Sequence, residues 1–186
     1  MNYTLIVLAS GLSRRFGSNK LLSDLYGMPL IGYTLKNLKG SHADEKIIVF
    51  SKSNYYNTDD YKIIINDRPD LGISYSIRLA IDFVKNGIAV FTLADMPFVP
   101  GFIIDDFVEK MNFNNKGLGM FFSGELYSPP SAFSRKYFNQ IMNLRGDAGG
   151  KKIIMENKND ALFYPVEPNV LYDIDTIEDL RKIYNK

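Results

Sequence analysis

Three kinds of residue in this chain have types and spacing suited to chemistry on phosphates. The first is the run Leu8-Ala-Ser-Gly-Leu-Ser-Arg-Arg-Phe-Gly-Ser-Asn-Lys-Leu-Leu22, in which small residues precede two arginines, a second glycine and Lys20. Small residues let a ligand approach the backbone, and the cations and N–H groups of such a turn attract polyanions. The second is Asp95, which closes the run Ala89-Val-Phe-Thr-Leu-Ala94 and precedes Met96-Pro97. The third is the pair Asp173 and Asp175 in Tyr172-Asp-Ile-Asp-Thr176. Cations and carboxylates gathered at one edge make sense when a triphosphate and a divalent metal join them. Mg²⁺ takes one or two protein carboxylates, the rest of its shell being phosphate oxygens and water. Asp95 has a plainer reading as the cap of the helix that follows, and Asp175 as support for the start of a terminal helix.

The first run is neither of two familiar phosphate loops. A P-loop requires a second glycine where Phe16 stands and Ser or Thr after the lysine, where Leu21 stands; the dinucleotide fingerprint requires glycine at position 13, which is Ser.

These residues need a scaffold that brings them to one edge, and the periodicities supply it. Tyr3–Leu8 reads as a strand, Pro29–Leu38 as a helix stopped by Gly40, Lys46–Phe50 and Tyr61–Ile65 as strands around a polar, tyrosine-rich loop. Ser74–Lys85 reads as a helix with Gly87 as its stop, Ile88–Leu93 as a buried strand and Phe102–Met111 as a helix. Further on, Leu118–Phe122 and Ala161–Val166 read as strands, and Arg135–Leu144 as a helix. The two prolines within Gly124–Ser131 argue against a central strand. Thr176-x-x-Asp179 resembles a capping box that opens a terminal helix. Alternation puts Asp173 and Asp175 on one face of a short strand, away from Ile174. The rhythm predicts an α/β fold, a mostly parallel central sheet with helices on both faces. In such sheets ligands sit beyond the carboxyl ends of the strands, where the glycine loop and Asp95 both fall. No repeat, linker or low-complexity run divides residues 1–186, so one domain is expected.

Composition narrows the function classes. The 186 residues are 46% hydrophobic and 23% charged with a net charge of +1, which gives no bulk signal for nucleic acid. Cysteine is absent, which removes disulfides, thiolate metal sites and cysteine nucleophiles and suits a reducing cytoplasm. The single histidine, His42, lies in a polar run and reads as a solvated loop residue. No signal peptide is apparent, and the most apolar span, Gly87–Ile104, is broken by Asp95, Pro97 and Pro100, so neither export nor a membrane is expected.

The first run closely resembles the signature loop of the molybdenum cofactor nucleotidyltransferases, above all the MocA-type cytidylyltransferases. Leu93-Ala-Asp-Met-Pro97 resembles that family's metal-binding Asp-Met-Pro motif, and Asp173-Ile-Asp-Thr176 with Glu178-Asp179 its closing motif, with Ile177 where proline is usual. Asn66 followed by Gly72-Ile-Ser-Tyr-Ser76 is similar to the segment that helps enclose the nucleotide. Gly146-Asp-Ala-Gly-Gly-Lys151 resembles a motif on the pterin-substrate side, with Gly150 for alanine and Lys151 for arginine. Lysine lacks the bidentate fork with which arginine grips a phosphate.

The resemblance implies a three-layer Rossmann-like nucleotidyltransferase fold. It also implies an enzyme that transfers a nucleoside monophosphate to the phosphate of a molybdopterin-type molybdenum cofactor, releasing pyrophosphate. Leu8, Ala9, Ser10, Gly11, Gly72 and Ser76 would bind the nucleotide, and Gly146, Asp147 and Lys151 the acceptor. Arg15 and Lys20 would hold the triphosphate, and Asp95 with Asp175 (or Asp173) would bind Mg²⁺. The triplet Ala9-Ser10-Gly11 and the run Asn19-Lys-Leu-Leu22 fit the cytidylyl side, so CTP is expected over GTP. Alternatives are guanylyl transfer to the same cofactor and a sugar or alcohol phosphate as acceptor. A third is a cofactor carrier that does no chemistry and docks onto a molybdenum hydroxylase.

Overall fold

The structure is a computed structural model that describes residues 2–13, 16, 17 and 19–184. In chain order the strands are β1 (Tyr3–Ala9), β2 (Asp24–Leu25), β3 (Met28–Pro29), β4 (Glu45–Ser51), β5 (Lys62–Asn66), β6 (Ile88–Leu93), β7 (Leu118–Ser123), β8 (Leu126–Ser134) and β9 (Ala161–Pro165). The helices are α1 (Leu30–Leu38), α2 (Ile73–Ile81), α3 (Gly101–Phe113), α4 (Phe138–Met142), α5 (Lys151–Glu156) and α6 (Ile177–Tyr184). Seven strands form one sheet in the order β5-β4-β1-β6-β8-β7-β9, while β2 and β3 make a separate small hairpin. Within the large sheet β5, β4, β1 and β6 are mutually parallel, β7 and β9 are parallel to each other, and β8 runs antiparallel to both β6 and β7.

Strand β1 is central and buried along its whole length, and its alternation separates two cores. Leu5, Val7 and Ala9 face a cluster completed by Leu30, Leu35, Ile104, Phe107 and Ile183 from α1, α3 and α6. Ile6 and Leu8 face the other, completed by Ile77, Ala80, Ile141 and Ile154 from α2, α4 and α5. Period-2 side-chain direction on a sheet covered on both faces produces this division, and it gives the expected three-layer α/β architecture. Truncating a side chain buried in either cluster, such as Leu5→Ala, would cost about 2–5 kcal/mol.

Four elements depart from the sequence reading. Gly124–Ser131 contributes most of a central strand, β8, in spite of its prolines. The register between β7 and β8 jumps from Met120↔Ser131 to Phe121↔Ser128, so Pro129 and Pro130 fall in a bulge with no cross-strand partner on β7. A residue without an N–H is tolerated there because no ladder bond is asked of it. Helix α2 stops at Ile81 rather than running to Lys85. The carbonyls of Val84, Lys85 and Asn86 instead receive the Arg135 guanidinium. Arg135–Leu144 is a 3-10 turn, Arg135–Tyr137, followed by the short α4. Tyr172–Thr176 is irregular chain rather than a strand, and Ile174 N–H donates to the single carbonyl of Asp95 beyond the end of β6 instead of entering a ladder.

His42 is also more engaged than a solvated loop residue. Its ring is largely exposed, but Nδ1 lies 2.8 Å from Oδ2 of the buried Asp105, which also accepts from Tyr3 Oη–H at 2.6 Å. The described helices include none long and apolar enough to cross a membrane.

Candidate active site

Because β1, β4, β5 and β6 are parallel, their carboxyl ends share one edge, and the residues that follow them meet there. Ser10 and Gly11 follow β1, Asn54 lies just after β4, Asn66 ends β5 and Asp95 follows β6. A cleft of about 430 Å³ opens along this edge, bordered by Ser10, Gly11 and Asp95, with Asn54 and Asn66 outside its lining. Its lining includes nine residues singled out from the sequence: Leu8, Ala9, Ser10, Gly11, Lys20, Gly72, Asp95, Asp147 and Asp175.

Lys20 is the centre of the charged end. A 3-10 turn over Lys20–Leu22 is anchored by the buried Leu21, and this orients the Lys20 side chain inward. Lys20 Nζ lies 2.6 Å from Asp95 Oδ2 and 2.9 Å from Asp175 Oδ1. Burial alone would lower the Lys20 pKa, but Asp95 and Asp175 outweigh it and hold the ammonium above its ordinary value. Asp95 is not a helix cap: α3 begins six residues later at Gly101, and Asp95 Oδ1 is buried with no hydrogen-bond partner among the described residues. The terminal helix is capped by others. Asp179 Oδ2 accepts from Thr176 N at 2.9 Å while Asp179 N donates to Thr176 Oγ1 at 3.2 Å, the expected reciprocal box. Asp175 is thereby left to face Lys20. Ile174 is fully buried, so Asp173 and Asp175 do point away from it although no strand forms. Asp173 sits at the exposed rim; partial desolvation, then Asp175 and Asp95, raise its pKa.

Backbone and side-chain bonds fix these pieces to one another. Ile174 N–H donates to the Asp95 carbonyl at 3.0 Å, which joins the two acidic segments directly. Thr34 Oγ1–H, from α1, donates to the Ala94 carbonyl at 2.8 Å. Asn54 Nδ2 donates to the carbonyls of Ala9 (3.1 Å) and Gly11 (2.7 Å), so these oxygens of the glycine loop are turned back toward β4. Neither Thr34 nor Asn54 stands out in the sequence. The buried pair with the structural reach to show them is visible only once β1, β4 and α1 are assembled.

The opposite end of the cleft is lined by Asp70, Gly72 and Asp147 and has no lysine or arginine among the described residues. Ser10 Oγ and Ser76 Oγ are 2.5 Å apart, and Asn66 Nδ2 donates to Ser76 Oγ at 2.9 Å. Ser76 thus lies behind the lining and supports Ser10. Gly72 opens α2 with φ +82°, and a Cβ there would overlap the Gly146 carbonyl and come within 2.6 Å of Asp147 Oδ1. Ser74 N–H completes the contact by donating to the Gly146 carbonyl at 3.1 Å. The Gly146-Asp147 segment is therefore packed onto the start of α2, with Gly146 behind the cleft and Asp147 in it.

Like Ser76 and Gly146, Lys151 does not join this lining. Lys151 donates from Nζ to the Tyr127 carbonyl at 3.0 Å and borders a separate apolar pocket of about 170 Å³. That pocket adjoins the cleft through Leu8, Ile73 and Leu93, which border both. Arg15 lies outside the described residues.

Comparison with known proteins gives the family and the fold. The family described as the MobA-like NTP transferase domain matches residues 5–161. A protein of Thermococcus kodakarensis named "Probable molybdenum cofactor guanylyltransferase" is 28% identical over 95% of this chain and 92% of its own length. One of the same name from Pyrococcus horikoshii is 30% identical over 79% of this chain and 77% of its own length. Among solved structures, Rv0371c from Mycobacterium tuberculosis superposes with a TM-score of 0.87 at 22% identity, covering both chains completely. A nucleotidyl transferase from Methanothermobacter thermautotrophicus superposes at 0.80 with 19% identity, covering 99% of this chain and 96% of its own. Both structural likenesses bear on the fold. With a family match that spans most of its length, this chain belongs to the MobA-like NTP transferases.

Proposed function

We propose that this protein transfers CMP from CTP to the phosphate of a molybdopterin-type molybdenum cofactor and releases pyrophosphate. The observation that carries the reaction type is Lys20 held between Asp95 and Asp175 beside a glycine loop, at one end of a cleft of nucleotide size. The acceptor is a phosphate monoester, largely dianionic at neutral pH, so no side chain need deprotonate it. Its terminal oxygen attacks the α-phosphorus, and the bond from that phosphorus to the bridging oxygen of the β-phosphate breaks. Lys20 and Arg15 hold the triphosphate and stabilise the departing pyrophosphate. Catalysis is then positioning and charge neutralisation, which agrees with a cleft lined by no histidine or cysteine among its described residues.

Asp95 and Asp175 would hold Mg²⁺. Asp95 Oδ1, buried and without a hydrogen-bond partner among the described residues, is an acceptor suited to a cation. Two carboxylates suffice for an ion that draws the rest of its shell from phosphate and water. When bound, the ion supplies charge neutralisation at the α-phosphate.

CTP is preferred here because Ser10 occupies space that a smaller residue would leave to a larger base, and adds a hydroxyl beside it. A second reading, GTP as donor, is favoured by the names of the Thermococcus and Pyrococcus relatives. A sugar or alcohol phosphate as acceptor is favoured by a 30% identical match over half of this chain to the 2-C-methyl-D-erythritol 4-phosphate cytidylyltransferase of Dictyoglomus thermophilum. Docking onto a molybdenum hydroxylase would be an additional role. Pyrophosphate release measured with each nucleotide and with the cofactor or an alcohol phosphate tests the proposal. Release with CTP and the molybdenum cofactor, at least tenfold above GTP, is expected; equal rates or a preference for GTP overturn the base assignment and leave the reaction class.

A further inference from the structure

The hydrogen bonds at the end of the cleft away from Lys20 have a direction, and the direction can be read from a backbone group outward. Arg68 N–H is a donor only, and it donates to Asn66 Oδ1 at 2.8 Å. That fixes the amide, so the group Asn66 turns toward Ser76 Oγ, 2.9 Å away, is its NH₂. Ser76 is 1% exposed and its oxygen already receives this proton. Its own proton must therefore go to its remaining partner, Ser10 Oγ, at 2.5 Å. Ser10 Oγ then accepts from Ser76, and among the described residues no other acceptor is bonded to its proton. Ser10 borders the cleft, and the cleft is where that proton is left to point.

We infer that Arg68 N–H, Asn66, Ser76 and Ser10 form a one-way hydrogen-bond chain that makes Ser10 a donor to the bound base, selecting a ring nitrogen that accepts. This rests on the nucleotide reading above and deepens it. The sheet order separates the two ends of the ligand: Asp95 follows β6 on one side of β1, whereas Asn66 ends β5 on the other. The side that holds Lys20 takes the phosphates, so the side lined by Asp70 and Asp147, which has no lysine or arginine among its described residues, takes the base. Cytosine presents N3 as an acceptor beside the O2 carbonyl; uracil carries a proton on N3. A fixed donor at that edge accepts the first and opposes the second. Selectivity on this account is set by two buried residues, Ser76 and Asn66, two and three hydrogen bonds removed from the base.

The chain also has a predicted reversal. In Asn66→Asp the carboxylate only accepts. It keeps the Arg68 N–H and takes the Ser76 proton; Ser76 then accepts from Ser10, which turns its lone pairs to the cleft. Affinities of CTP and UTP, measured by titration calorimetry with Mg²⁺ and no acceptor, test this. Wild type should bind CTP about 10- to 100-fold tighter than UTP, the range for one buried hydrogen bond made or opposed. Ser10→Ala and Ser76→Ala should each bring the ratio down about tenfold, and Asn66→Asp should bring it below that of Ser76→Ala, toward UTP. Circular dichroism identifies an Asn66→Asp protein that does not fold, in which case the ratio in Ser76→Ala decides. A ratio unchanged by Ser10→Ala, or changed by Ser10→Ala and not by Ser76→Ala, overturns the chain while nucleotide binding stands. Failure of wild type to bind any ribonucleoside triphosphate overturns the nucleotide reading and this inference with it.

Discussion

Burial pushes the Lys20 ammonium toward its neutral form, yet the two carboxylates on it reverse the shift. The sign has a consequence for stability. A raised folded-state pKa means that the favourable contribution is fully present below the unfolded value of 10.5 and is lost as pH rises through the folded one. The difference in urea midpoint between wild type and Lys20→Met should therefore be constant through neutral pH and shrink above about pH 10.5. In turnover, Lys20→Ala should lose roughly 10²–10³-fold, as for removal of one preorganised charge stabiliser. Asp95→Asn keeps the shape of the side chain and removes its charge, so the fold should persist while Mg²⁺-dependent pyrophosphate release nearly disappears. Wild-type turnover in that variant would move the metal elsewhere. Asp173 separates from Asp175 by the same logic. Partial desolvation and the nearby carboxylates raise its pKa, so its ionised form opposes folding, and the opposition is absent at low pH. Asp173→Asn should raise the melting midpoint at pH 7, lose that gain near pH 3 and leave turnover intact, whereas Asp175→Asn should impair turnover.

At the scale of elements, the site depends on bonds between segments more than on the segments themselves. Asn54→Ala would strip both amide donors from the carbonyls of Ala9 and Gly11. The expected cost is about 1–3 kcal/mol with a raised KM for the nucleotide, checked by denaturation and steady-state kinetics. Legibility in the sequence followed the same division. Asp95, Lys20 and the glycine loop could be found because each lies at a strand end or in a dense cluster of small and charged residues. Asn54 and Thr34 act on main-chain carbonyls of other elements, and nothing in their own neighbourhood signals such a bond. The strands β1, β4 and β6 were legible because a strand buried on both faces is continuously apolar, as in the VLA and IIVF runs. Strand β8 was hidden because its prolines are read locally as breakers, and only the register with β7 provides the bulge that excuses them. The capping box at Thr176 was legible since its two partners are three residues apart.

For the molecule as a whole, the arrangement of two adjoining pockets separates the effects of substitutions. Lys151 borders the apolar pocket and not the cleft, while Leu8, Ile73 and Leu93 form the wall between them. Lys151→Ala should leave the KM for CTP unchanged and alter only that for the acceptor; an effect confined to the nucleotide would reverse the assignment of the two sides. The two cores also meet at this wall, since Leu93 packs against both. The bond from Ile174 N–H to the Asp95 carbonyl has a further meaning in time. A chain emerging from the ribosome has all seven strands of its sheet by Pro165, and Lys20 and Asp95 are already present. Asp175, the clasp beside it and the apolar side chains of Val170, Leu171 and Ile183 that close one core arrive afterwards. Synthesis thus finishes the architecture before it finishes the site, and a nascent chain paused between the two would have its sheet in place without the carboxylate that completes its charged end.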